Sequence, residues 1–576
     1  MKKWKILNKL RTGDIAKVLL ENRGIKTRKE VEEFLNPKLD KVTAESVGIN
    51  KRELQKAINR IKTAIKNKEE IVVFGDYDVD GICGTAILWE RLNGLGAEVM
   101  PYIPHRIDEG YGLSSKGISN VKLQISNVKL IITVDNGIVA NEAVKFANDQ
   151  GIDVIITDHH VPAKVLPKAL AIVHTTKLCG TGVAYLLAQS LLSVLSPQLS
   201  DKGQSVFDQS VPTNRQQINQ NPKTENREPI TDSHLELVAL ATVADLVPLV
   251  GANRTLLKFG LEKLKKTKRI GLLELFKEAE LDPAKIDVYA IGHIIAPRLN
   301  AMGRLEYAMD SLRLVCAKNK DKAKALALKL GSTNRERQQV TIETSEQAIL
   351  SVRKEKKGKL LFVANEKYQQ GVIGLVAGKL VEEFYKPAIV ISKGEKFSKA
   401  SARSVSGFNI IEFIRKSSDL LVDAGGHPMA AGFTVETAKL VVLEKRLREL
   451  GEKDIDINSL TRTLKIDCEL PLTFVMSELY DSIQKLSPFG MGNPEPTFLS
   501  KNVIIEDMRL VGMEGKHLKL VVSSQKLDVK FDAIAFGMGE RAGEIKIGDK
   551  MDIAYTISQD EWNGNKRLQL KIKDLK

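Results

Sequence analysis

The sequence predicts an α/β protein: a parallel-sheet domain, a second α/β domain joined to it by a long helix, and a small C-terminal β-barrel. Three patterns lead there. Apolar, β-branched runs alternate with helical stretches after about residue 70, as strands and crossover helices do in a parallel sheet. A long, strongly helical stretch over 306–355 precedes a second strand–helix alternation. From about residue 460, five or so short strands follow one another at hairpin-like spacing, the habit of a small barrel.

In chain order, residues 1–70 read as a helical segment with periodic apolar positions, as in ELQKAINRIKTAIKN. IVVFGDYDVDG (71–81) is an apolar strand that stops in an acidic, glycine-ended loop, and CGTAILWERLNGLG continues as a helix. AEVMPYIP is a second strand; LIITVDNG (130–137) and IDVIITDHH (152–160) repeat the first form, with a helix between them. In parallel sheets the chemistry gathers at the carboxyl ends of the strands, and three acidic clusters fall at three such ends. This first domain is expected over 71–305, interrupted at 197–233 by a polar, Asn- and Gln-rich stretch that reads as a flexible surface insertion. A connecting helix over 306–355 leads to the second domain at 356–455, where KLLFVAN and PAIVIS are strands. The barrel is expected over 460–576, from TLKIDCEL to KRLQLKIKDL.

Composition narrows the function classes. A chain of 576 residues is too long for one core; length alone suggests roughly three to four domains. No apolar run approaches the ~20 residues of a membrane helix, and the basic N-terminus regains charge before a signal-peptide core can form. The four cysteines (Cys83, Cys179, Cys316, Cys468) are scattered without a CxxC pair, which excludes a zinc ribbon or disulfide framework and fits a reducing cytoplasm. The net charge of +15 fits a polyanionic partner or a lysine-rich solubilising surface. At 5% aromatic residues, any base-stacking surface is small.

Asp76, Asp78 and Asp80 alternate within DYDVDG. Carboxylates this close repel one another and need a cation if ionised together; Gly75 and Gly81 allow the tight backbone of such a loop. A solvated acidic turn is the alternative, and an EF-hand-like calcium loop lacks its bidentate Glu here. Asp158, His159 and His160 follow a buried strand in a chain with only eight histidines. Mixed carboxylate and imidazole ligands suit manganese-like ions at a hydrolytic site; a helix cap by Asp158 is the alternative. Asp135 in VDNG reads equally as an Asx turn. Asp245 lies inside the apolar run ATVADLVPL, where an uncompensated charge is costly.

Taken together, GDYDVDG, VDNG, TDHH and ATVADLVPL resemble the four acidic motifs of the DHH phosphoesterase family, and the resemblance covers almost the full chain. It continues through RIDEGYGLS, CGTGVAYLLA, PRLNAMGRL, GVIGLVAGKLV, SARSVSGFNI and the glycine-rich GGHPMAAGF. PFGMGNPEP opens a segment similar to the oligonucleotide-binding barrel of the family's bacterial single-strand exonucleases. The resemblance implies a DHH phosphoesterase domain, a DHH-associated substrate-binding domain and that barrel. It also implies two divalent ions, Mn2+ or Mg2+, and a 5′→3′ exonuclease that degrades single-stranded DNA to 5′-mononucleotides in DNA repair and recombination. Asp78, Asp80, Asp135, His159, His160 and Asp245 are the implied ligands. Asp76 stays open between ligand and outer group, and Asp158 between bridging, ligating and acting through a histidine. Arg106, Ser401 and Arg403 resemble groups around the 5′ phosphate. Arg298, Asn300 and Arg304 are expected on the backbone or scissile phosphate, with an interdomain salt bridge as the alternative. His427, beside Gly425 and Gly426, is expected to stabilise the transition state or to cap a turn.

Three places depart from the family pattern: Tyr368-Gln369 stands where Trp-His is usual and Gly378-Lys379 where Ser-Arg is usual, so no histidine role carries over there, and the segment after AIV at 171–173 is shortened and reads HTTK. Two rival readings are a small-substrate member acting on oligoribonucleotides or cyclic dinucleotides, and a non-catalytic DNA-binding scaffold. A barrel read as basic and a complete ligand set count against them. The implied partners are single-stranded DNA, a single-strand binding protein and a RecQ-like helicase, with a monomeric, cytoplasmic, membrane-free protein.

Overall fold

The computed structural model describes residues 2–8, 14–200, 234–354, 358–524, 529–562 and 565–576. The chain divides into two compact units, Lys38–Asp454 and a second made of Met1–Pro37 with Ile455–Lys576.

The larger unit opens on a five-stranded parallel sheet. Its strands run in the order Val99–Tyr102, Glu70–Phe74, Val128–Val134, Asp153–Asp158 and Ala171–His174. The central strands are buried on both faces, which is why they read as continuous β-branched runs rather than alternating ones. Strand order reverses between Glu70–Phe74 and Val128–Val134. Connections leaving neighbouring strands in opposite directions open a crevice at their carboxyl ends. The GDYDVDG loop and Asp135 lie at that point.

Helix Val79–Gly94 is capped by the Asp78 side chain, which accepts from the amides of Asp80 and Gly81. It is buried along most of its length and so must satisfy a charge, Glu90, inside the fold. Arg269 donates to both Glu90 oxygens at 2.8 Å and through Nε to Glu236 at 2.6 Å, and His234 Nε2 lies 2.8 Å from Glu90 Oε2. The group ties helix Val79–Gly94 to helices Leu235–Ala244 and Ile270–Glu278.

A 35-residue helix, Lys320–Lys354, about 52 Å long at the α-helical rise, leads to a second five-stranded sheet. There the order is Leu421–His427, Ala430–Glu436, Phe397–Arg403, Ala388–Ser392 and Leu361–Asn365, antiparallel except for the last pair. Helix Gly180–Ser200 takes in residues 197–200, the first of the expected insertion; residues 201–233 lie outside the described residues.

In the smaller unit, strands Phe498–Val511, His517–Ser523, Lys530–Ala535, Asn565–Leu575 and Lys550–Trp562 pair in sequence, and the last returns to pair with the first. The result is a closed five-stranded barrel filled by Phe498, Val503, Leu520, Tyr555 and Leu570. The N-terminal stretch differs from the all-helical reading. Lys3–Asn8 is a strand, paired in parallel with Thr463–Glu469, and residues 1–37 group with the barrel. Trp4 donates to Asp574 at 2.7 Å, and Asn22 and Arg23 donate to Asp467. A partner some 460 residues away supplies that strand's hydrogen bonds, so no local period marked it.

The Glu90–Arg269 pair gives a test with a sign. Burial works against ionisation of Glu90, but the Arg269 charge and its two hydrogen bonds overrule it and hold the carboxyl well below its usual range. The unfolded chain therefore binds the extra proton in acid, so this stabilisation is fully present above the unfolded value near 4.5 and is lost progressively as pH falls from there towards the much lower folded value. Arg269→Met leaves Glu236 without its guanidinium and Glu90 with His234 alone, and should cost about 2–3 kcal/mol near neutrality. The gap to wild type should narrow in denaturant titrations below pH 4.5; a gap that is constant with pH contradicts the assignment.

Candidate metal centre

The carboxyl ends of the strands and the C-terminus of helix Leu235–Ala244, where Asp245 stands, bring together every acidic and histidine residue expected at the cluster. His159 Nε2 lies 3.1 Å from Asp135 Oδ1, 3.6 Å from Asp245 Oδ2 and 3.8 Å from Asp80 Oδ2. His160 Nδ1 lies 2.8 Å from Asp158 Oδ1 and 3.8 Å from Asp135 Oδ1. Three ligand groups, each with one donor atom per residue and all atoms within 4.8 Å, overlap: Asp135/His159/His160, Asp80/His159/Asp245 and Asp76/Asp78/Asp135. Asp135 and His159 are shared between groups, as expected where adjacent ions share ligands.

The local backbone is built to hold this arrangement. Asp135 ends its strand in the left-handed region at φ 62°, which costs a non-glycine residue about 1 kcal/mol or more. Tyr111 holds it there by donating its hydroxyl to the Asp135 carbonyl at 3.0 Å. Gly75 and Gly81 serve close approach rather than a special φ. A Cβ on Gly81 would meet the Asp76 backbone at 2.5 Å, and one on Gly75 would collide with Thr85.

Electrostatics separate the carboxylates into two kinds. Burial, and then the charge of Asp78, raises Asp76 well above the usual carboxylate range; burial, and then Asp80, Asp78 and Asp245, does the same to Asp135. Asp245 is pushed up to about 9 by burial and by Asp80 and Asp78. Among the described residues, Asp76 Oδ1 and Asp135 Oδ1 are buried acceptors without a hydrogen-bond donor. Buried acceptors in that state are rare and costly. A divalent cation satisfies both at once, and carboxylates with imidazoles are the donor set of Mn2+ and Mg2+ sites.

Asp158 is the opposite case. Its Oδ1 accepts from the His159 and His160 amides and lies 2.8 Å from His160 Nδ1; its Oδ2 accepts from the Ile138 amide at 2.9 Å. Burial opposes its charge, but the His160 hydrogen bond and the amides hold it below its ordinary value. Both its oxygens accept hydrogen bonds, and it belongs to none of the three ligand groups.

Facing the cluster are guanidinium groups. Arg304 is brought down to about 10 by burial and by the charges of Arg106, Arg337 and Arg403, so four arginines share one neighbourhood. Arg106 stacks over the Tyr77 ring at 4.6 Å. Arg403 and Ser401 lie two apart on one strand, with Arg403 Nη1 3.3 Å from Ser401 Oγ. His427, at the end of the edge strand that carries Gly425 and Gly426, stacks on His160 with ring centroids 5.5 Å apart and an interplanar angle of 22°. Two residues expected at phosphates also carry structural contacts. Arg298 Nε donates to Glu278 at 2.7 Å, and Asn300 Oδ1 accepts from the Val79 amide at 2.9 Å. Arg337, on the long connecting helix, was missed in the sequence, since one arginine among many on a charged helix carries no local signal.

Comparison with known proteins agrees with this geometry. The family profiles for the DHH family N-terminal domain, the DHHA1 domain and the RecJ OB domain match residues 70–242, 357–453 and 466–574. Together with the cluster at the strand ends, they place the chain in the class of DHH proteins with a DHHA1 domain and an oligonucleotide-binding barrel. Among curated proteins, the single-stranded-DNA-specific exonuclease RecJ of Bacillus subtilis (strain 168) is 35% identical over 569 residues, covering 96% of this chain and 67% of the relative. That of Salmonella typhimurium is 30% identical, covering 97% and 95%. The crystal structure of Thermus thermophilus RecJ in complex with Mn2+ superposes with a TM-score of 0.81 at 26% identity, over 100% of this chain and 79% of that one. The chain belongs to the RecJ family.

Because Asp135 stands among like charges, Asp135→Asn should stabilise the chelator-treated protein while weakening Mn2+ binding by at least about tenfold. Thermal melts with and without Mn2+ check both arms. A variant that melts lower in chelator, or keeps its Mn2+-induced shift, contradicts the assignment.

Proposed function

We propose that this protein is a metal-dependent exonuclease that degrades single-stranded DNA from the 5′ end and releases 5′-mononucleotides. One observation carries the reading: a carboxylate–histidine cluster with orphaned buried oxygens faces four arginines in one compact unit. A centre for divalent cations beside a centre for phosphates is what phosphodiester hydrolysis requires.

In this reading Asp76, Asp78, Asp80, Asp135, His159, His160 and Asp245 hold two divalent ions, Mn2+ or Mg2+. When bound, these ions acidify a water and offset charge on the scissile phosphate. Asp158 is a positioning residue: its Oδ1, 2.8 Å from His160 Nδ1, and the Tyr111 hydroxyl, 3.2 Å from His160 Nε2, fix the orientation of that ring. Arg106, Arg304, Arg337 and Arg403, with Ser401, bind phosphate oxygens, for which the guanidinium fork is suited. Arg298 and Asn300 hold the frame, one through Glu278 and the other through the DYDVDG loop. His427, at the glycine-rich edge and stacked on His160, is placed to stabilise charge on the scissile phosphate.

The electrostatic footprint differs from a basic barrel. Residues 455–576 hold seventeen lysines and arginines against eighteen aspartates and glutamates, so the positive excess lies in the first 454 residues. The barrel contributes as an oligonucleotide-binding fold, and attraction to the strand comes from the catalytic unit. Its match to a barrel profile and the RecJ relatives favour a long strand over a dinucleotide as substrate. The same reading makes the protein a cytoplasmic monomer that works beside a single-strand binding protein and a RecQ-like helicase. Among the described residues, no helix is long and apolar enough to cross a membrane.

Digestion of a long single strand in Mn2+ tests the proposal. A 5′ label should appear as mononucleotide from the first time points, while a 3′ label should stay in long products until late. Early release of the 3′ label, or preference for dinucleotides, would sink it.

A further inference from the structure

We infer that Gly180 and Thr181, in the CGTG segment that opens helix Gly180–Ser200, are positioning residues that set the separation of Asp80 from Asp135. The inference rests on the reading of the carboxylate cluster as the metal centre. It assigns a role to a segment that touches neither phosphate nor the proposed ions.

Asp80 is gripped at both ends by this turn. The Gly180 amide donates to Asp80 Oδ2 and the Thr181 amide to Asp80 Oδ1, each at 2.7 Å, while the Thr181 hydroxyl donates to the Asp80 backbone carbonyl at 2.6 Å. A carboxylate with one amide on each oxygen cannot rotate about its last bond without losing one of them. The donors are the unpaired amides that begin a 21-residue helix, where a negative charge is favoured. The hydroxyl then ties the Asp80 main chain to the same residue, so side chain and backbone move as one body with the helix.

Asp135 is set from the other side of the same turn. A Cβ on Gly180 would lie 2.6 Å from Asp135 Cβ and 2.8 Å from Asp135 Oδ1, so only glycine lets the two chains touch there. Asp135 is already in a left-handed backbone conformation and cannot yield cheaply. One side of the Gly180–Thr181 pair thus fixes Asp80 and the other abuts Asp135. Both residues, Thr181 included, are buried. The bland role of Thr181, filling space in the core, is met equally well by valine; the hydroxyl bond to Asp80 is met only by serine or threonine.

The test is direct Mn2+ binding, followed by calorimetry and by loss of the free-ion EPR signal, on wild type, Thr181→Val and Thr181→Ser. Thr181→Val should bind Mn2+ about tenfold more weakly, the usual scale for removing an outer partner of a metal ligand. Its melting temperature in chelator should stay near that of wild type, and Thr181→Ser should bind like wild type. Thr181→Ala carries the same expectation as valine, so the result does not hang on the fold of one variant. Gly180→Ala should weaken binding further, by displacing Asp135. Wild-type Mn2+ affinity in both hydroxyl-less variants, or a serine variant as impaired as valine, overturns the inference. Wild type that takes up no Mn2+ overturns the metal-centre reading beneath it.

Discussion

Mutual repulsion among buried carboxylates is the constraint on which the rest of this structure depends. Asp76, Asp135 and Asp245 are each pushed towards the neutral form by burial and by the aspartates around them, and two of their oxygens find no donor among the described residues. A fold does not hold such a group through hydrophobic packing alone. Here the strands end at the reversal point of a parallel sheet, where loops converge on a crevice. The repulsion is carried by a rigid frame: Asp78 as a helix cap, Asp80 on helix-opening amides, Asp135 in a left-handed turn.

Division of labour follows from what surrounds each carboxylate. Asp158, the aspartate that gives the TDHH motif its character, has amides and His160 on its oxygens and lies in none of the three ligand groups. Asp80 also has an amide on each oxygen, yet it lies in one group with His159 and Asp245. The arginines show the same logic with the sign reversed. Arg298 has a carboxylate partner and is structural, whereas Arg106, Arg304, Arg337 and Arg403 crowd together, a state that a polyanion relieves.

Much of this was legible in the sequence because it is local. Apolar runs that stop at aspartates announced both the strands and the acidic residues gathered at their ends, and hairpin spacing announced the barrel. What stayed hidden depends on partners distant in the chain. Lys3–Asn8 is a strand only because Thr463–Glu469 lies beside it. That the Asn300 oxygen meets the Val79 amide, 221 residues away, is likewise shown by nothing local. The CGTG segment could be recognised by resemblance, but its grip on Asp80 spans 100 residues and leaves no trace in periodicity or composition.

The central claim is that divalent cations, rather than protons, compensate the strand-end carboxylates. Titration of chelator-stripped protein with Mn2+ tests it most directly, with stoichiometry read by calorimetry and ion–ion coupling by EPR. The account predicts two ions per chain, close enough to be magnetically coupled because the ligand groups overlap at the Asp135 carboxylate. Uptake of one ion or none, or two ions without coupling, would contradict it.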